Sequence, residues 1–190
     1  KGFEGLVSSK LLAIASKKLN KLNKFKKDLE VNNEYCFNNY QTLIECKEID
    51  IIYIALPTSL HHQWIIKCLD EGKKVLVEKP ATMNAAEIEE IKNKYPKEKI
   101  FINEAFMYMH YPQTKKIIEL INKGEIGDLI SMESSFGNNI LTKKNFFGFE
   151  KIKKLNTKNR IFNKELGGGV ILDLGCYPVS LSTLIASQII

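Results

Sequence analysis

The sequence predicts an α/β protein in which a doubly wound parallel sheet is followed by the beginning of an α+β domain. Strand and helix patterns alternate without exception over residues 11–103, which is typical of doubly wound sheets. A strand–helix–strand unit lies within residues 50–80, and such a unit implies parallel strands joined by a right-handed crossover. The pattern changes near Ala105, so we expect one domain over residues 1–105 and a second over residues 106–190.

Two buried strands and the helix between them define that unit. Ile49–Leu56 and Lys74–Val77 are apolar runs of strand length, and Leu60–Leu69 places apolar residues at helical spacing. Gly72 follows the helix, at the position where a left-handed C-cap favours glycine. Because ligands collect beyond the carboxyl ends of parallel strands, the turns after both strands are expected to face one crevice. These turns are Leu56-Pro57-Thr58 and Glu78-Lys79-Pro80.

The same two periodicities predict the other elements. Further strands are expected at Leu11–Ala15, Ile100–Asn103 and Leu129–Phe136, the last with one wet face. Further helices are expected at Leu19–Leu29, Tyr40–Cys46, Asn84–Tyr95 and Pro112–Lys123. Asn84 and Glu87 are the expected capping pair of the third of these helices. In the last, Gly124 would end the helix and Ile117, Ile118 and Ile121 would be buried.

Two segments of the second half are less regular. Gly137–Phe162 is aromatic, lysine-rich and irregular, and its length suggests a functional loop. Gly167–Ile190 is a glycine triplet that leads into an apolar helix, in which Pro178 marks either a kink or the first turn.

Composition limits the classes of partner. The chain has 190 residues, of which 44% are hydrophobic and 26% charged, and these values are ordinary for a globular protein. The net charge of +6 comes from scattered lysines without a recognition motif, so no nucleic-acid partner is expected. No apolar run is predicted to span a membrane, so no membrane association is expected either.

The cysteines indicate a reduced setting. Cys36, Cys46, Cys68 and Cys176 show no CxxC spacing and no secreted-type framework. We therefore expect a cytoplasmic protein without a metal site. Cys68 lies on the apolar face of its helix and is interpreted as a small core residue.

The end of the Leu11–Ala15 strand bears on the choice of cofactor. In dinucleotide-binding folds, an acidic residue here bonds the adenine ribose 2′-hydroxyl, whereas a basic residue accommodates a 2′-phosphate. This chain offers Ser16, Lys17 and Lys18 and no carboxylate, so the phosphorylated dinucleotide is favoured if one binds. The alternative is simply a lysine-rich helix N-terminus, which is electrostatically unfavourable.

The turn Glu78-Lys79-Pro80 places a charged pair directly after a buried strand. Pro80 restricts Lys79 to extended geometry, which projects the ammonium into the crevice. There the ammonium is able to bond a ribose hydroxyl or a substrate oxygen. The alternative is a strand-end salt bridge, and these three residues alone do not separate the two interpretations.

The glycine triplet at residues 167–169 opens the segment that carries Asp173 and Tyr177. Four residues apart, these side chains share one helical face, and the glycines permit the close approach of another backbone or a flat ligand. A tyrosine beside a lysine ammonium is able to donate a proton to a carbonyl, because the cation favours the phenolate. Asp173 would hold a substrate hydroxyl or orient the tyrosine. The alternative is a glycine-lined helix packing with a buried, hydrogen-bonded tyrosine.

Together these motifs resemble the glucose–fructose oxidoreductase / inositol dehydrogenase (Gfo/Idh/MocA) family of NAD(P)-dependent oxidoreductases. The specific combination is EKP followed at a distance by GGGxxxDxGxx[HY]. The segments that carry the resemblance are LLAIASKK (11–18), DIIYIALPTSLH (50–61), GKKVLVEKPATMNAAE (72–87), NEAFMYMHYPQ (103–113), GEIGDL (124–129) and NRIFNKELGGGVILDLGCYP (159–178). Tyr177 and the EAFMY segment are most similar to the dihydrodiol and xylose dehydrogenase branch, which favours NADP.

The resemblance implies a Rossmann-type domain, then an α+β domain whose open sheet builds a homo-oligomer, a dimer or a tetramer. It also implies hydride transfer between NADP(H), with NAD possible, and a hydroxyl or carbonyl carbon of a sugar, polyol or trans-dihydrodiol-like substrate. Lys79 would be the catalytic lysine, Tyr177 the acid–base residue and Asp173 its substrate-orienting partner, with Arg160 reaching the substrate or the cofactor phosphates. The implied substrate-binding residues are Lys79, Arg160, Asp173 and Tyr177. The implied cofactor-binding residues are Ser16, Lys17, Lys18, Leu56, Pro57, Thr58, His61, Glu78, Lys79, Pro80 and Glu104.

Three further expectations limit the resemblance. His61 matches a cofactor-binding position, but a histidine that caps its own helix start is the alternative. The GxGxxG fingerprint is not in this chain, and the family continues beyond Ile190, so we expect a fragment that lacks the first strand and is inactive alone. Met109 stands where related sequences commonly carry arginine.

Two other functional classes remain open within the family. Some members bind the nucleotide as sensors or regulators without catalysis, and a third class cleaves glycosides with transient use of the cofactor. Sensors tend to lose the EKP or acid–base positions, whereas Lys79, Asp173 and Tyr177 are all present here. Their presence favours an enzyme.

Overall fold

The computed structural model describes residues 9–144, 146, 148–153 and 159–187. The helices are α1 (Leu19–Asp28), α2 (Tyr40–Glu45), α3 (His61–Asp70), α4 (Ala85–Lys94), α5 (Pro112–Asn122) and α6 (Cys176–Ala186). The strands are β1 (Ile14–Ala15), β2 (Cys36–Phe37), β3 (Ile51–Ile54), β4 (Lys74–Val77), β5 (Ile102–Glu104), β6 (Thr142–Lys144) and β7 (Glu150–Ile152). Strands and helices alternate from β1 to β5, as the sequence predicts.

The first five strands are paired in parallel. β1 pairs with β2 in parallel register, and β3, β4 and β5 form a sheet in that order. Val75 at the start of β4 donates its N–H to Phe101 at 2.8 Å, and Val77 at the end of β4 accepts from Ala105 at 2.8 Å. Beginning therefore meets beginning and end meets end, as parallel strands require. The prediction of parallel strands joined by helical crossovers is confirmed.

Glycines end the helices where the sequence places them. Gly72 adopts the left-handed conformation (φ +68°) after α3. Its N–H donates to Leu69 at 3.0 Å and that of Lys73 donates to Cys68 at 2.8 Å, the two bonds of a Schellman motif. Gly124 (φ +69°) closes α5 with the same pair of bonds. The chain is thereby turned sharply from α3 into β4.

The N-terminus of α4 is capped by side chains on both sides. The Asn84 amide oxygen accepts from the Glu87 N–H at 3.1 Å, as predicted. The Glu87 carboxylate accepts from the Met83 N–H at 2.8 Å, one residue earlier than in a standard capping box. The first bond satisfies a backbone donor that the first turn of the helix leaves free, and the second fixes the residue before the cap.

The chain divides into two compact units. One contains the residues up to Ile54, Gln63–Leu76 and Ile91–Asn103; the other contains Ala55–His62, Val77–Glu90 and the residues from Glu104 onward. The core of the first unit includes Ile14, Leu22 and Val31, which pack together, and Cys68, which is fully buried as predicted. The core of the second includes Val77, His61, Phe106 and Ile185.

The predicted strand Leu129–Phe136 is wrong. These residues form no regular structure, and Ile130 is 95% exposed. The alternation of apolar and polar residues predicts which side chains of a strand face solvent. A strand forms, however, only where a neighbouring strand hydrogen-bonds its N–H and C=O groups. Among the described residues no strand lies alongside this segment. The expected burial of Ile117 in α5 is also wrong, because this side chain is 38% exposed.

The two irregular segments contain more structure than expected. Within Gly137–Phe162, strands β6 and β7 form an antiparallel hairpin, in which Thr142 pairs with Ile152. Positions 145, 147 and 154–158 of that segment lie outside the described residues. Ile171–Gly175 is a π-helical turn that leads into α6, and Pro178 lies in the first turn of α6. The last three positions of the predicted helix, 188–190, are not among the described residues.

The expectation that no apolar run is long enough for a membrane requires correction. By length and composition alone, the helical stretch Lys164–Ala186 is long and apolar enough to cross a membrane. Only 6% of its most apolar window is buried, although residues of the stretch contact Lys79 and Phe106 within the second unit.

Candidate active site

Lys79 is held at the end of β4 by a residue distant in sequence. Its ammonium donates to the main-chain oxygen of Asp173 and lies 3.5 Å from the Asp173 carboxylate. Both side chains are largely buried, with 12% and 18% exposed. The salt bridge considered as an alternative for this turn therefore exists, and Lys79 forms it with Asp173. The structure brings two predicted catalytic residues into direct contact.

The same ammonium lies over the ring of Tyr177, 4.9 Å from its centre, which is a cation–π distance. Asp173 lies in the π-helical turn and Tyr177 in the first turn of α6, so the local chain directs both toward Lys79. The predicted shared face of these two residues is confirmed. Lys79, Asp173 and Tyr177, the three residues predicted to be catalytic, form one cluster, which we call the catalytic cluster.

The ionisation of Tyr177 differs from the expectation. Burial raises the pKa of Tyr177, and the negative charges of Cys176, Glu78 and Asp173 raise it further. The expectation that the ammonium favours the phenolate is therefore wrong, because desolvation and neighbouring negative charge dominate. Tyr177 is a phenol at neutral pH, which is the form that donates a proton.

Three aromatic side chains that were not predicted as site residues surround Tyr177. The Tyr177 ring centre lies 4.8 Å from that of Phe136, 5.4 Å from that of Phe106 and 6.3 Å from that of Tyr108. Tyr108 is fixed in turn by a 2.8 Å hydrogen bond to Ser180. The aromatic density of EAFMYMHY was the available signal for Phe106 and Tyr108. Phe136 had none, because its segment was taken for a strand.

Arg160 approaches the catalytic cluster from the outside. Its guanidinium lies 3.7 Å from the Asp173 carboxylate, and its side chain is 52% exposed. Asp173 is thus shared between a largely buried cation, Lys79, and an exposed one. The prediction that Arg160 contacts the substrate or the cofactor phosphates stays a prediction.

The glycine triplet allows the close backbone approach that the sequence analysis expected. A Cβ atom on Gly168 would lie 2.2 Å from the carbonyl oxygen of Arg160. A Cβ on Gly167, which has a φ of +80°, would lie 2.6 Å from the Cβ of Thr58. Real Cβ atoms do not approach other atoms so closely. The triplet therefore seats the turn before the catalytic cluster against Thr58, which is itself 2% exposed.

His61 joins the two predicted turns. Its Nδ1 lies 2.9 Å from the Pro80 carbonyl oxygen and its Nε2 lies 2.8 Å from the Leu56 carbonyl oxygen. Only 1% of the residue is exposed. On the other side of the Lys79 turn, Glu104 accepts from the Ala81 N–H at 2.7 Å.

The other predicted cofactor residues divide between the two units. Leu56, Pro57, Thr58, Glu78, Pro80 and Glu104 belong with the catalytic cluster in the second unit. Ser16, Lys17 and Lys18 belong to the first unit. Ser16 is buried and its hydroxyl accepts from the Lys18 N–H at 3.2 Å, whereas Lys17 and Lys18 are exposed. The first turn of α1 holds no acidic residue. The roles of all these residues stay predictions.

The described residues hold no group of three or more His, Cys, Asp or Glu side chains arranged to bind a metal ion. The four cysteines are free, and burial raises the pKa of the Cys68 thiol to about 12.

Known proteins share both the sequence and the fold of this chain. Trans-1,2-dihydrobenzene-1,2-diol dehydrogenase from Xenopus tropicalis is 32% identical over 94% of the chain and 49% of its own length. The NADP(+)-dependent D-xylose 1-dehydrogenase of Hypocrea jecorina is 33% identical over 76% of the chain and 36% of its own length. The crystal structure of the 3-ketoreductase KijD10 from Actinomadura kijaniata, in complex with NADP and TDP-benzene, matches with a TM-score of 0.70 and 25% identity. That match covers 93% of this chain and 49% of the KijD10 chain.

The chain thus spans about half the length of the curated relatives it matches. Residues 3–105 match the model of the oxidoreductase family with an NAD-binding Rossmann fold, and residues 114–189 match the model of the GFO/IDH/MocA C-terminal domain. The chain belongs to the Gfo/Idh/MocA family of oxidoreductases.

Proposed function

We propose that this protein is an NADP-dependent oxidoreductase that transfers a hydride between the cofactor and a hydroxyl or carbonyl carbon of a small polyhydroxylated substrate. Sugars, polyols and trans-dihydrodiols are the proposed substrate class. The observation that carries the proposal is the catalytic cluster, in which one ammonium contacts both a carboxylate and a phenol ring. Relatives named as dihydrodiol and D-xylose dehydrogenases support the substrate class.

The residues present fit a nicotinamide dinucleotide. Lys79 supplies an ammonium at the carboxyl end of β4, where dinucleotides bind in parallel sheets. The exposed Lys17 and Lys18 stand beside the N-terminus of α1, whose free N–H groups also favour phosphate. When bound, the nicotinamide would supply the hydride chemistry itself. The Lys17–Lys18 pair supports NADP over NAD.

The protein's own residues would manage the proton. Burial raises the pKa of Tyr177 and so favours its phenol, whose Oη would donate a proton to a carbonyl oxygen during reduction. In the reverse reaction its phenolate would take up the proton of the substrate hydroxyl. The Lys79 ammonium would stabilise the substrate oxygen as charge develops on it. Asp173, through its main-chain oxygen and its carboxylate, would keep that ammonium in place.

A substrate screen tests the proposal. Full-length protein that contains this chain would be mixed with NADP⁺ and either D-xylose or trans-1,2-dihydrobenzene-1,2-diol, and NADPH formation would be followed by absorbance. Activity with either substrate is expected, Lys79→Ala should abolish it, and Tyr177→Phe should lower kcat on the order of 10²–10⁴-fold. Full activity in Tyr177→Phe would assign the proton to another group. Tight NADPH binding without turnover of any polyol would indicate a sensor instead of an enzyme.

Cofactor preference is tested separately by titration. NADPH is expected to bind more tightly than NADH, and Lys17→Glu with Lys18→Glu should reverse the order, because a carboxylate would repel the 2′-phosphate. Tighter binding of NADH by the unchanged chain would refute the argument from Lys17 and Lys18.

We further propose a cytoplasmic homo-oligomer with its domain boundary near Ala105. The free cysteines of the described residues support a reduced compartment. Exposed apolar side chains at Ile130, Val170 and Ile171 support a protein partner for the second domain. Light scattering would measure the mass in solution.

A further inference from the structure

His61 uses both of its ring nitrogens within the protein. Nδ1 meets the Pro80 carbonyl and Nε2 meets the Leu56 carbonyl, both within hydrogen-bond distance, and only 1% of the residue is exposed. A cofactor or substrate would therefore find neither a free nitrogen nor an accessible ring edge. The position that the family resemblance associates with cofactor binding is occupied here by an internal bridge.

The chemistry of the two partners constrains the histidine. A carbonyl oxygen only accepts, a neutral imidazole carries one N–H, and an imidazolium carries two. Each contact is a hydrogen bond where the ring nitrogen donates, and the tautomer decides which nitrogen carries the proton. Beside this ring, burial raises the pKa of Glu104, while the Ala81 N–H and the neighbouring His61 act in the opposite direction.

The two bonds hold the main chain on the C-terminal side of Lys79. His61 holds the carbonyl of Pro80, and Glu104 holds the N–H of Ala81 at 2.7 Å. At the other end of its side chain, the Lys79 ammonium is held by Asp173. Main chain and ammonium are thus fixed independently.

We propose that His61 is a positioning residue for Lys79, acting through the Pro80 carbonyl together with Glu104 on Ala81, and not a contact of the cofactor. This inference rests on the catalytic role of Lys79 under the proposed function. A shift of Lys79 by about 1 Å would be enough to lower the rate on the order of 10²-fold.

The first test separates positioning from cofactor binding. In His61→Gln, kcat is expected to fall on the order of 10- to 100-fold while the NADP⁺ Kd stays within about twofold. A weakened NADP⁺ Kd with an unchanged kcat would overturn the inference and restore a cofactor role. His62→Gln is the matched control, because the adjacent His62 lies 3.3 Å from the exposed Glu90 without forming a hydrogen bond. That variant should change neither quantity.

The second test needs no enzymatic activity. Hydrogen–deuterium exchange of the peptide covering residues 78–83 reports the opening of the Lys79 turn, because the Ala81 amide is bonded to Glu104. His61→Gln should speed exchange in this peptide on the order of tenfold and leave β1 and β2 unchanged. Uniformly faster exchange throughout the chain would show that His61 only stabilises the fold.

A second variant keeps the inference testable if His61→Gln folds poorly. Glu104→Leu removes the acceptor of Ala81 and should reproduce the local increase in exchange, whereas Glu104→Gln keeps an acceptor and should remain protected. Equal protection in both Glu104 variants would overturn the role of this bond. An inactive full-length wild-type protein with a protected turn would refute the proposed function and leave the positioning of Lys79 confirmed.

Discussion

The Lys79–Asp173 contact predicts a measurable loss of stability in Asp173→Asn. The substitution keeps the size and one acceptor oxygen of the side chain but removes the negative charge that lies 3.5 Å from the ammonium. The main-chain oxygen of Asp173 continues to accept from Lys79. The variant therefore isolates the ionic interactions of Asp173, which are those with Lys79 and, at 3.7 Å, with the exposed Arg160.

The magnitude follows from burial and distance. Two unit charges 3.5 Å apart interact by 332/(20 × 3.5), or about 5 kcal/mol, at an effective dielectric constant of about 20. The cost of desolvating both groups offsets much of this energy. The amide oxygen and the main-chain bond retain part of the remainder. We expect the free energy of unfolding to fall by about 1–3 kcal/mol.

Urea unfolding followed by circular dichroism measures the change, with Glu119→Gln as the matched control. Glu119 pairs with Lys116 at 3.0 Å and with Lys123 at 2.8 Å, closer than Asp173 is to Lys79, but all three side chains are exposed. If burial decides the energy, the control loses clearly less stability than Asp173→Asn. Equal losses, or no loss in Asp173→Asn, would refute the reasoning.

Three further outcomes follow from other parts of the structure. Gly168→Ala should lower the free energy of unfolding, measured in urea, by about 1–3 kcal/mol, because its Cβ would overlap the Arg160 carbonyl oxygen. Gly137→Ala should leave the free energy of unfolding unchanged, because a Cβ at Gly137 meets nothing within 4 Å. With Cys36, Cys46 and Cys176 replaced by serine, the Cys68 thiol, whose pKa is raised by burial to about 12, should react with Ellman's reagent only in urea. Immediate reaction of this variant in the native state would contradict the core position of Cys68. Burial raises the pKa of Glu104 in the folded chain above its ordinary 4.5. Between the ordinary and the raised pKa, the folded chain binds more protons than the unfolded chain, so the free energy of unfolding falls as pH rises. The urea midpoint of Glu104→Gln should change less with pH over that range than the midpoint of the wild type. An identical pH dependence in both proteins would contradict the raised pKa of Glu104.

Local patterns in the sequence predicted the elements that local physics determines. Lys74–Val77 is a strand with the predicted bounds, and Gly72 turns the chain because the left-handed conformation there favours glycine. Leu129–Phe136 failed because pairing of a strand depends on a distant segment, which alternation does not reveal.

The sequence predicted which residues meet in the candidate site better than it predicted their pKa values. The spacing of Asp173 and Tyr177 predicted a shared face, and their meeting with Lys79 agrees with the family resemblance. The direction of the Tyr177 pKa was missed, because it depends on burial and on charges that only the folded chain assembles. The bridge made by His61 was missed for the same reason, since both partners are main-chain carbonyls that any sequence carries.

One contact in the catalytic cluster does not depend on which side chain is present. Lys79 donates to the peptide oxygen of residue 173, and every amino acid at that position carries such an oxygen. Mutational drift at residue 173 therefore cannot release the ammonium completely. A lineage descended from this protein is able to replace the acid at residue 173 while the lysine keeps this main-chain hydrogen bond. Because of this main-chain hydrogen bond, the position of the lysine ammonium depends less on the side chain at residue 173 than on the backbone there.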